Sequence, residues 1–570
     1  MKPEHEQYIL KNIGHKPAEA IAKDLGLKER NVNRFLEKQK SEERMAGPRN
    51  ETIAPVKKKI VLLSVFLIVV LGFTVYGNSI NGEFIWDDNL LIKENIYIKD
   101  WSYIPKIFSE DVGSGSGIEY HFYRPLQMVT YMVDYSLWKL DVKGYHLTNI
   151  VLHILAALGV YCLFNFIFKD NLLSLLTAIF FVVHPVHTEV VAYISGRADS
   201  LALLFMLSCF LFYVKQLSSN NAGLYILMLL SYALALLSKE SSLILPVLLL
   251  LYHYSFKERV KGKGFFSILG LALAYVLLRT TVLKDLMSRA PCTTTLSERF
   301  PGFFAAATNY VRLLFFPFDL HMEYGKKLFH WGDLEVILGA GILSMMLIYA
   351  FRKRKENKIV FFSLLWFLIA LAPVSNLYPI NAYMAEHWLY LPSVGVFLIL
   401  AGGVNGLRKI RGVGFFIVII AIGLSAFYSY LTIKNNRYWK TPLVFYERLV
   451  KYAPDSTKVH VELGLIYNSI GRKREAEAML KKAIKINPDY AEAYNSLGAT
   501  YDLMGKKEEA LAMFKKAIKI KPDFARAHNN LSIFYFYQKQ YKLAIEYCDK
   551  AKALGFVNPV FVEALKPYRK

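Results

Sequence analysis

The sequence predicts an all-α protein, a polytopic bundle of membrane helices followed by a C-terminal α-solenoid, and three observations support this. Hydrophobic residues make up 54% of the 570 residues and charged residues only 20%, whereas soluble proteins average about 45–50% and about 25%. The apolar residues gather in long runs between positions 60 and 433, and near the C-terminus a proline recurs at a fixed interval. These features exclude a disordered chain, a fibrous protein and a soluble single-domain enzyme.

The apolar runs predict about eleven membrane spans, because a spanning helix needs about 20 mainly apolar residues. The candidate spans are 60–78, 147–167, 171–184, 199–215, 222–237, 240–254, 265–281, 333–351, 359–377, 388–404 and 413–433. The further apolar stretch 301–317 is interpreted as a re-entrant or interfacial helix. Counting it as a span would put the basic cluster at 352–358 on the opposite side from the other basic loops. The membrane domain is therefore expected to cover residues 59–433.

The net charge of +23 lies largely in short Lys/Arg clusters that flank the apolar runs, at 57–59, 257–263, 352–358 and 408–411. Such clusters are typical of cytoplasmic loops. They predict a multi-pass protein of the cell (inner) membrane with a cytoplasmic N-terminus and, given an odd span count, an extracytoplasmic C-terminus. An endoplasmic reticulum membrane would fit the same topology. Most of the positive charge is therefore explained by cytoplasmic loops beside the membrane, and nucleic acid is not an expected partner. The four cysteines lie far apart, which excludes a zinc ribbon or a disulfide scaffold.

Residues 1–40 are helical in pattern and predict a small cytosolic segment, followed by a linker at 41–58 that contains Gly47-Pro48 and Pro55. A helix, a glycine turn and a basic second helix between 17 and 36 resemble a helix-turn-helix. DNA binding stays open, but the segment is short and close to neutral, which favours a cytosolic cap or the docking of a partner.

The C-terminal segment 437–570 carries prolines at 454, 488 and 522, a spacing of thirty-four residues, which is the tetratricopeptide period. Leu463-Gly464 recurs as Leu497-Gly498, and again as Leu531-Ser532. We expect tetratricopeptide (TPR) repeats at about 457–490, 491–524 and 525–558, with the atypical third repeat as a cap. The concave face of such an array binds peptide, and three asparagines are candidates for amide contacts there, although each could be a solvated helix position: Asn495, Asn529 and Asn530.

Ionisable and aromatic residues collect on the predicted outer face of the bundle. The first outer loop, 79–145, contains Phe84-Ile85-Trp86-Asp87-Asp88 and then Tyr123-Arg124-Pro125-Leu126. Smaller outer segments contain further polar motifs, namely His184-Pro185-Val186-His187-Thr188-Glu189, Gly196-Arg197-Ala198-Asp199, Lys239-Glu240 and Ala385-Glu386-His387. Ionisable groups at the edge of a membrane bundle are costly and usually functional, so the outer face is where we expect a site.

These motifs, in this order and followed by the repeats, resemble the transmembrane-and-TPR O-mannosyltransferases of the GT-C superfamily of glycosyltransferases. The resemblance covers about residues 60–570. It implies an enzyme that transfers one mannose-like sugar from a polyprenyl-phosphate donor to an acceptor hydroxyl, in protein Ser or Thr, on the outer face. The repeats are interpreted as a module that recruits the acceptor or acts as a scaffold.

The resemblance puts the family's acidic motif on Asp87 and Asp88, either of which could act as general base. The donor phosphate needs cationic or hydrogen-bonding groups, and the candidates for donor or substrate binding are Arg124, His184, His187, Glu189, Arg197, Asp199, Lys239, Glu386 and His387. No protein-bound cofactor is expected. A divalent metal is possible at Asp87, Asp88 and Glu189, but their spacing does not require one.

Several of these residues have structural alternatives. Arg197 with Asp199, and Glu386 with His387, could be ion pairs within the bundle, and His184 and His187 could hold a metal, contact phosphate or cap a helix. Arg124 could instead anchor the chain to lipid headgroups. For the whole protein the alternatives are a membrane-anchored TPR scaffold without catalysis and a transporter. Eleven spans with polar outer motifs exceed what an anchor needs, and transporters place ionisable groups nearer the midplane.

Overall fold

The computed structural model describes residues 3–12, 16–33, 35–36, 58–219, 221–260, 262–283, 294–325, 327–380, 382–556 and 559–569. The described residues are helical with connecting loops and contain no β-strand, which confirms the all-α prediction. The chain divides into two compact units, Met1–Val61 and Leu62–Lys570.

The first unit contains α1 (Pro3–Asn12), α2 (Ala18–Asp24) and a further helical stretch at 29–33. A small core of Ile9, Ile21, Ala22 and Val32 holds these helices together. The turn between the second and third helices includes Gly26 at φ +65°, a conformation that favours glycine. Of the predicted linker, only its last residue, Lys58, lies within the described residues, where it begins the next helix.

The boundary between the two units falls within the first helix of the membrane bundle, and the second unit contains the rest of that bundle. Its helices are α3 (Lys58–Tyr76), α4 (Pro125–Trp138), α5 (Val142–Phe168), α6 (Asn171–Val183), α7 (Thr188–Ala192), α8 (Arg197–Ser218), α9 (Ala222–Ser238), α10 (Leu245–Phe256), α11 (Gly262–Thr280), α12 (Pro301–Phe315), α13 (Leu334–Lys353), α14 (Lys358–Leu371), α15 (Ser393–Leu407) and α16 (Gly414–Asn436). Each of the eleven apolar runs in the sequence coincides with one of these helices.

Six of the described helices are long and apolar enough to cross a membrane, or up to seven if a bent pair is counted as one span. The bent pair is α6 with the segment Pro185–Ala192, at 54° to each other. Four more apolar helices are shorter, at Ala222–Ser238, Glu240–Phe256, Lys358–Val374 and Ser393–Leu407. The prediction of a helical membrane bundle is confirmed, and the count of eleven spans stays a prediction.

The repeats follow as a lead-in helix, α17 (Pro442–Tyr452), and three helical hairpins. The hairpins are α18 (Thr457–Ser469) with α19 (Lys473–Ile486), α20 (Ala491–Leu503) with α21 (Lys507–Ile520), and α22 (Ala525–Tyr537) with α23 (Tyr541–Ala553), followed by α24 (Pro559–Leu565). A Cβ on Gly498 would lie 2.8 Å from the Phe514 ring, so glycine lets the two helices of a hairpin approach closely. In the third hairpin Ser532 occupies this position and donates a hydrogen bond to the Ala544 carbonyl.

The first repeat is joined to the membrane bundle by a hydrophobic core. Phe445 and Leu449 of α17 and Leu463 of α18 pack in one cluster with Ile85 of the first loop and Tyr193, which follows α7. Burial of this many apolar side chains is the main force available to hold two such surfaces together. The repeats therefore lie against the loop that carries Asp87 and Asp88.

Candidate functional site

The first loop reaches the two aspartates through an unusual backbone conformation. Trp86 has φ +53°, a left-handed conformation that costs a bulky residue of order 1–3 kcal/mol and concentrates at functional sites. Packing offsets the cost, because the Trp86 ring stacks on Tyr446 with centroids 5.7 Å apart. It also packs edge-on against Phe445 at 6.1 Å.

Asp88 holds the loop on the bundle. Its buried carboxylate accepts hydrogen bonds from the backbone N–H of Ile85 at 3.1 Å and from the N–H of Ser195 at 2.9 Å. It also accepts one from the Ser195 hydroxyl. Burial raises the pKa of Asp88 to about 7 despite these bonds. With both oxygens engaged, Asp88 is positioned to orient its neighbour.

Asp87 is the more accessible of the two carboxylates. It is half-buried and accepts a hydrogen bond from the Tyr120 hydroxyl at 3.0 Å, while its backbone N–H donates to the Tyr193 hydroxyl at 3.2 Å. Burial raises the pKa of Asp87, and the nearby Lys458 and the Tyr120 hydrogen bond partly offset this. A carboxylate with a raised pKa and spare hydrogen-bonding capacity is suited to accept a proton.

A cavity of about 360 Å³ lies beside Trp86, between the first loop and the repeats. Its walls come from both parts, with Glu83, Trp86 and Lys93 on the loop side and Tyr446 and Glu462 on the repeat side. Asp87 is next to Trp86 in the chain. Burial is the main cause that raises the pKa of Glu462, and the charge of Asp87 raises it further. The volume is at the small end of ligand pockets, which run about 300–1,000 Å³.

Two ion pairs form where the bundle meets the start of α4. Arg124 binds Glu240 through two nitrogens, at 2.9 and 3.3 Å. Lys239 contacts both oxygens of Asp199 at 2.7 Å. Four charged residues from three separate sequence motifs thus come together.

Beside these pairs, α11 carries two polar atoms that are buried and have no hydrogen-bond partner among the described residues. They are the Tyr275 hydroxyl and Nη1 of Arg279, which lie one helical turn apart. The Arg279 guanidinium also lies 5.6 Å from the ring of Tyr123. A buried donor without a partner costs about 1–3 kcal/mol, so a ligand that offers acceptor atoms here would relieve that cost.

Arg197 is fully buried and pairs with Asp134 at 2.6 Å. It also donates to Asn149 at 2.7 Å and to the Tyr145 carbonyl at 3.1 Å. Because Arg197 is fully buried and bound to these partners, it has no exposed surface with which to bind a donor phosphate. The structure therefore gives Arg197 the role of a buried ion pair, although its partner is Asp134 rather than Asp199.

His184 and His187 are fully buried, and both nitrogens of each ring have partners. His184 Nε2 donates to the Leu314 carbonyl at 3.1 Å and Nδ1 accepts from the N–H of Val186 at 3.2 Å. His187 bonds the Phe181 carbonyl at 2.9 Å and the Ser393 hydroxyl at 3.0 Å. The structure favours the capping alternative for His184, whose ring caps the short helix Pro185–His187. Both rings tie the break between α6 and α7 to neighbouring helices and do not face a phosphate or metal site.

Two buried glutamates form a separate cluster. Glu189 accepts from the backbone N–H of His387 at 3.0 Å and contacts its Nδ1 at 2.7 Å. Glu386 accepts from the hydroxyl of Tyr324 at 2.7 Å and from the N–H of His321. Burial, and then the charge of Glu189, raise the pKa of Glu386 well above its usual range. The expected pairing of Glu386 with His387 is replaced by pairing of Glu189 with His387.

No group of three or more His, Cys, Asp or Glu residues with metal-binding geometry occurs within the described ranges. Asp87, Asp88 and Glu189 in particular do not form such a group, because Asp88 is bound to Ser195 and Glu189 to His387.

The three asparagines of the repeats lie on the first helices of the second and third hairpins. Asn530 donates to the side chain of Asn495 at 3.0 Å, and both Asn495 and Asn529 are largely buried. Two of the three thus already contact each other across the array.

Sequence reasoning missed several residues of the site. Ser195 lies between two motifs that the sequence singled out, and Arg279 is a lone cation at the end of an apolar run, so both had a local signal. Lys458 and Glu462 had none, because their position depends on how the repeats pack against the loop.

Comparison with protein families shows which classes of protein this chain is similar to. Residues 136–282 match the family described as dolichyl-phosphate-mannose-protein mannosyltransferase. Residues 464–505 and 491–524 match tetratricopeptide repeat families. The matches confirm the resemblance found in the sequence, to a membrane glycosyltransferase with TPR repeats.

The names of individual relatives describe an activity more specifically than the family matches do. Protein O-mannosyl-transferase F38B6.6 of Caenorhabditis elegans is 28% identical over 434 residues, covering 73% of this chain and 61% of that protein. The human protein O-mannosyl-transferase TMTC1 is 27% identical, covering 70% and 52%, and mouse TMTC3 is 25% identical, covering 74% and 54%. The chain thus spans between about half and three fifths of the length of these relatives.

Proposed function

We propose that this protein is a membrane glycosyltransferase that moves one mannose-like sugar from a polyprenyl-phosphate donor to a Ser or Thr hydroxyl of a protein, on the extracytoplasmic face. The observation that carries the proposal is Asp87, a half-buried carboxylate with a raised pKa whose chain neighbour Trp86 lines a cavity between the loop and the repeats. The names of the relatives support the choice of sugar and acceptor.

In this reaction Asp87 takes the proton of the acceptor hydroxyl as its oxygen attacks the anomeric carbon. The bond from that carbon to the phosphate oxygen breaks in the same step. The lipid phosphate leaves with the bonding electrons, and the configuration at the sugar inverts. Asp88 does not touch the reactants; it positions Asp87 through its hydrogen bonds to Ser195 and Ile85.

The leaving phosphate needs donors that meet its growing charge. We assign this role to Arg279 and Tyr275, whose buried polar atoms have no partner among the described residues. Arg124 contributes from the same region, since the ring of its chain neighbour Tyr123 lies 5.6 Å from the Arg279 guanidinium. Lys239 and Asp199 hold the neighbouring segment.

The test is transfer of labelled mannose from polyprenyl-phosphate mannose to a threonine-containing peptide by the full chain in lipid vesicles. Removing a general base costs about 10²–10⁴-fold, so Asp87→Asn should lose at least about 100-fold in kcat. The matched control is Asp100→Asn, on the exposed surface of the same loop. Arg279→Gln should raise KM for the donor, whereas Lys263→Gln, at the other end of α11, should not. Wild-type rates for Asp87→Asn, or no transfer by the intact protein, would favour the scaffold alternative.

A further inference from the structure

The first TPR repeat does more than lie near the loop, because it supplies side chains around Asp87. Lys458 of α18 has its ammonium 4.0 Å from the centre of the Trp86 ring. Glu462, one turn further along α18, lines the cavity together with Ile466 and with Tyr446 of α17. The first loop alone therefore does not enclose the cavity, and the repeat supplies the rest of its wall.

Glu462 relates the cavity to the first helices of the other two hairpins. The repeat period of thirty-four residues places Glu462 at the same position as Ser496 and Asn530 in the next two repeats. Arg526, two repeats further on, acts on the carboxyl of Glu462 and lowers its pKa, opposing the effect of burial. The first helices of the three hairpins thus face a common groove, and Glu462 stands at its end beside the cavity.

We infer that this groove and the cavity form one acceptor site, in which an extended protein segment lies along the repeats and enters the cavity that Trp86 and Tyr446 line, with its hydroxyl toward Asp87. A cavity of about 360 Å³ accommodates a short chain segment rather than a folded domain. Glu462 and Ile466 line the entrance. Lys458 is a positioning residue, which sets the orientation of Trp86 and the charge environment of Asp87. The inference rests on the proposed function and extends it by naming the acceptor site.

The first arm of the test uses the assay above with a biotinylated peptide of alternating threonine and alanine. Ile466→Trp fills the cavity and should raise KM for the peptide at least about tenfold, with KM for the donor within about twofold. Ile470→Trp is the control, since Ile470 lies one turn away, is 49% exposed and does not line the cavity. Equal peptide KM values for the two variants would overturn the inference.

The second arm tests Lys458, which is exposed and can be replaced without disturbing a core. The groups that face Asp87 are Lys458, Tyr120, Tyr193, Asp88, Glu462 and Tyr446. Lys458 is the one cation among them, so Lys458→Met should move the acidic limb of the pH profile to higher pH, and Lys458→Arg should leave it in place. A merely structural lysine would lower the rate without moving the limb.

A third arm is independent of activity. A benzophenone amino acid at position 93, where an exposed lysine lines the cavity, should cross-link the biotinylated peptide and be competed by unlabelled peptide, whereas one at the exposed position 94, outside the lining, should not. Cross-linking at 93 without any sugar transfer would retain the acceptor site and reject the transferase. Transfer without cross-linking at 93, or with equal cross-linking at both positions, would do the reverse.

Discussion

At the scale of single residues, adjacent acidic side chains are given different tasks by their hydrogen bonds. Asp88 is buried and accepts from Ser195 and Ile85 through both of its oxygens, whereas Asp87 is half-buried and accepts from the Tyr120 hydroxyl at one oxygen. The sequence shows the two adjacent aspartates but not which of them is held in place, because Ser195, which binds Asp88, lies 107 positions further along the chain. Arg197 illustrates the same limit. Its motif is visible in the sequence, yet its partner, Asp134, could not be identified from it.

The raised pKa of Asp87 predicts a pH dependence of transfer. A base must be deprotonated, and an acid with a raised pKa stays protonated to higher pH. The rate should therefore fall as the pH drops through the raised value, with the inflection above the ordinary aspartate pKa of about 3.9. The measurement is kcat/KM between pH 4 and 8, over which wild-type protein must stay folded by circular dichroism. An inflection at or below the ordinary value would contradict the assignment of Asp87 as base.

Replacing each of the two buried glutamates by glutamine should affect the stability of the protein differently. Burial and the charge of Glu189 raise the pKa of Glu386 and so favour its neutral form, which glutamine resembles, and in Glu386→Gln the amide oxygen still accepts from Tyr324. We expect a melting temperature close to wild type. Glu189→Gln removes the carboxylate that binds His387 in a buried site, which should cost about 1–3 kcal/mol. Thermal unfolding in detergent at pH 7 measures both, and equal losses would show that Glu386 is ionised.

At the scale of helices, the apolar runs identified the bundle well because hydrophobic length is a direct physical requirement of a membrane. The repeats were equally visible, since each hairpin needs small residues where its helices approach. What the runs could not show was the packing between helices. Gly395 on α15 is an example, because nothing in its sequence context distinguishes it from Gly403 on the same helix.

The structure distinguishes these two glycines. A Cβ on Gly395 would collide with the Ser363 carbonyl of α14, whereas a Cβ on Gly403 would meet nothing within 4 Å. Gly395→Ala should therefore push α14 and α15 apart and cost about 1–3 kcal/mol, as overpacking typically does. Gly403→Ala should be neutral or slightly stabilising, since alanine favours helix. Melting temperature and membrane abundance of the two variants test this, and an equal effect would contradict the close approach of the helices.

At the scale of the whole molecule, the core shared by the first loop and the first repeat constrains the topology. Ile85 and Leu463 pack in one cluster, so the loop and the repeats lie on the same side of the membrane. The number of spans between them must then be even. The ten predicted spans after the first satisfy this condition, and counting α12 as an eleventh would violate it.

The core shared by the first loop and the first repeat predicts the result of a topology experiment on intact cells. In a variant with all four native cysteines replaced, a cysteine at Lys485 on α19 should react with a membrane-impermeant maleimide added from outside. A cysteine at Lys355, in the basic loop between α13 and α14, should react only after permeabilisation, because such loops are held in the cytoplasm. A cysteine at Asp100 in the first loop is the internal control and should behave like Lys485. Opposite labelling of positions 100 and 485 would contradict the shared core. Labelling of 355 from outside would instead mean that the span count between the first loop and α14 is wrong.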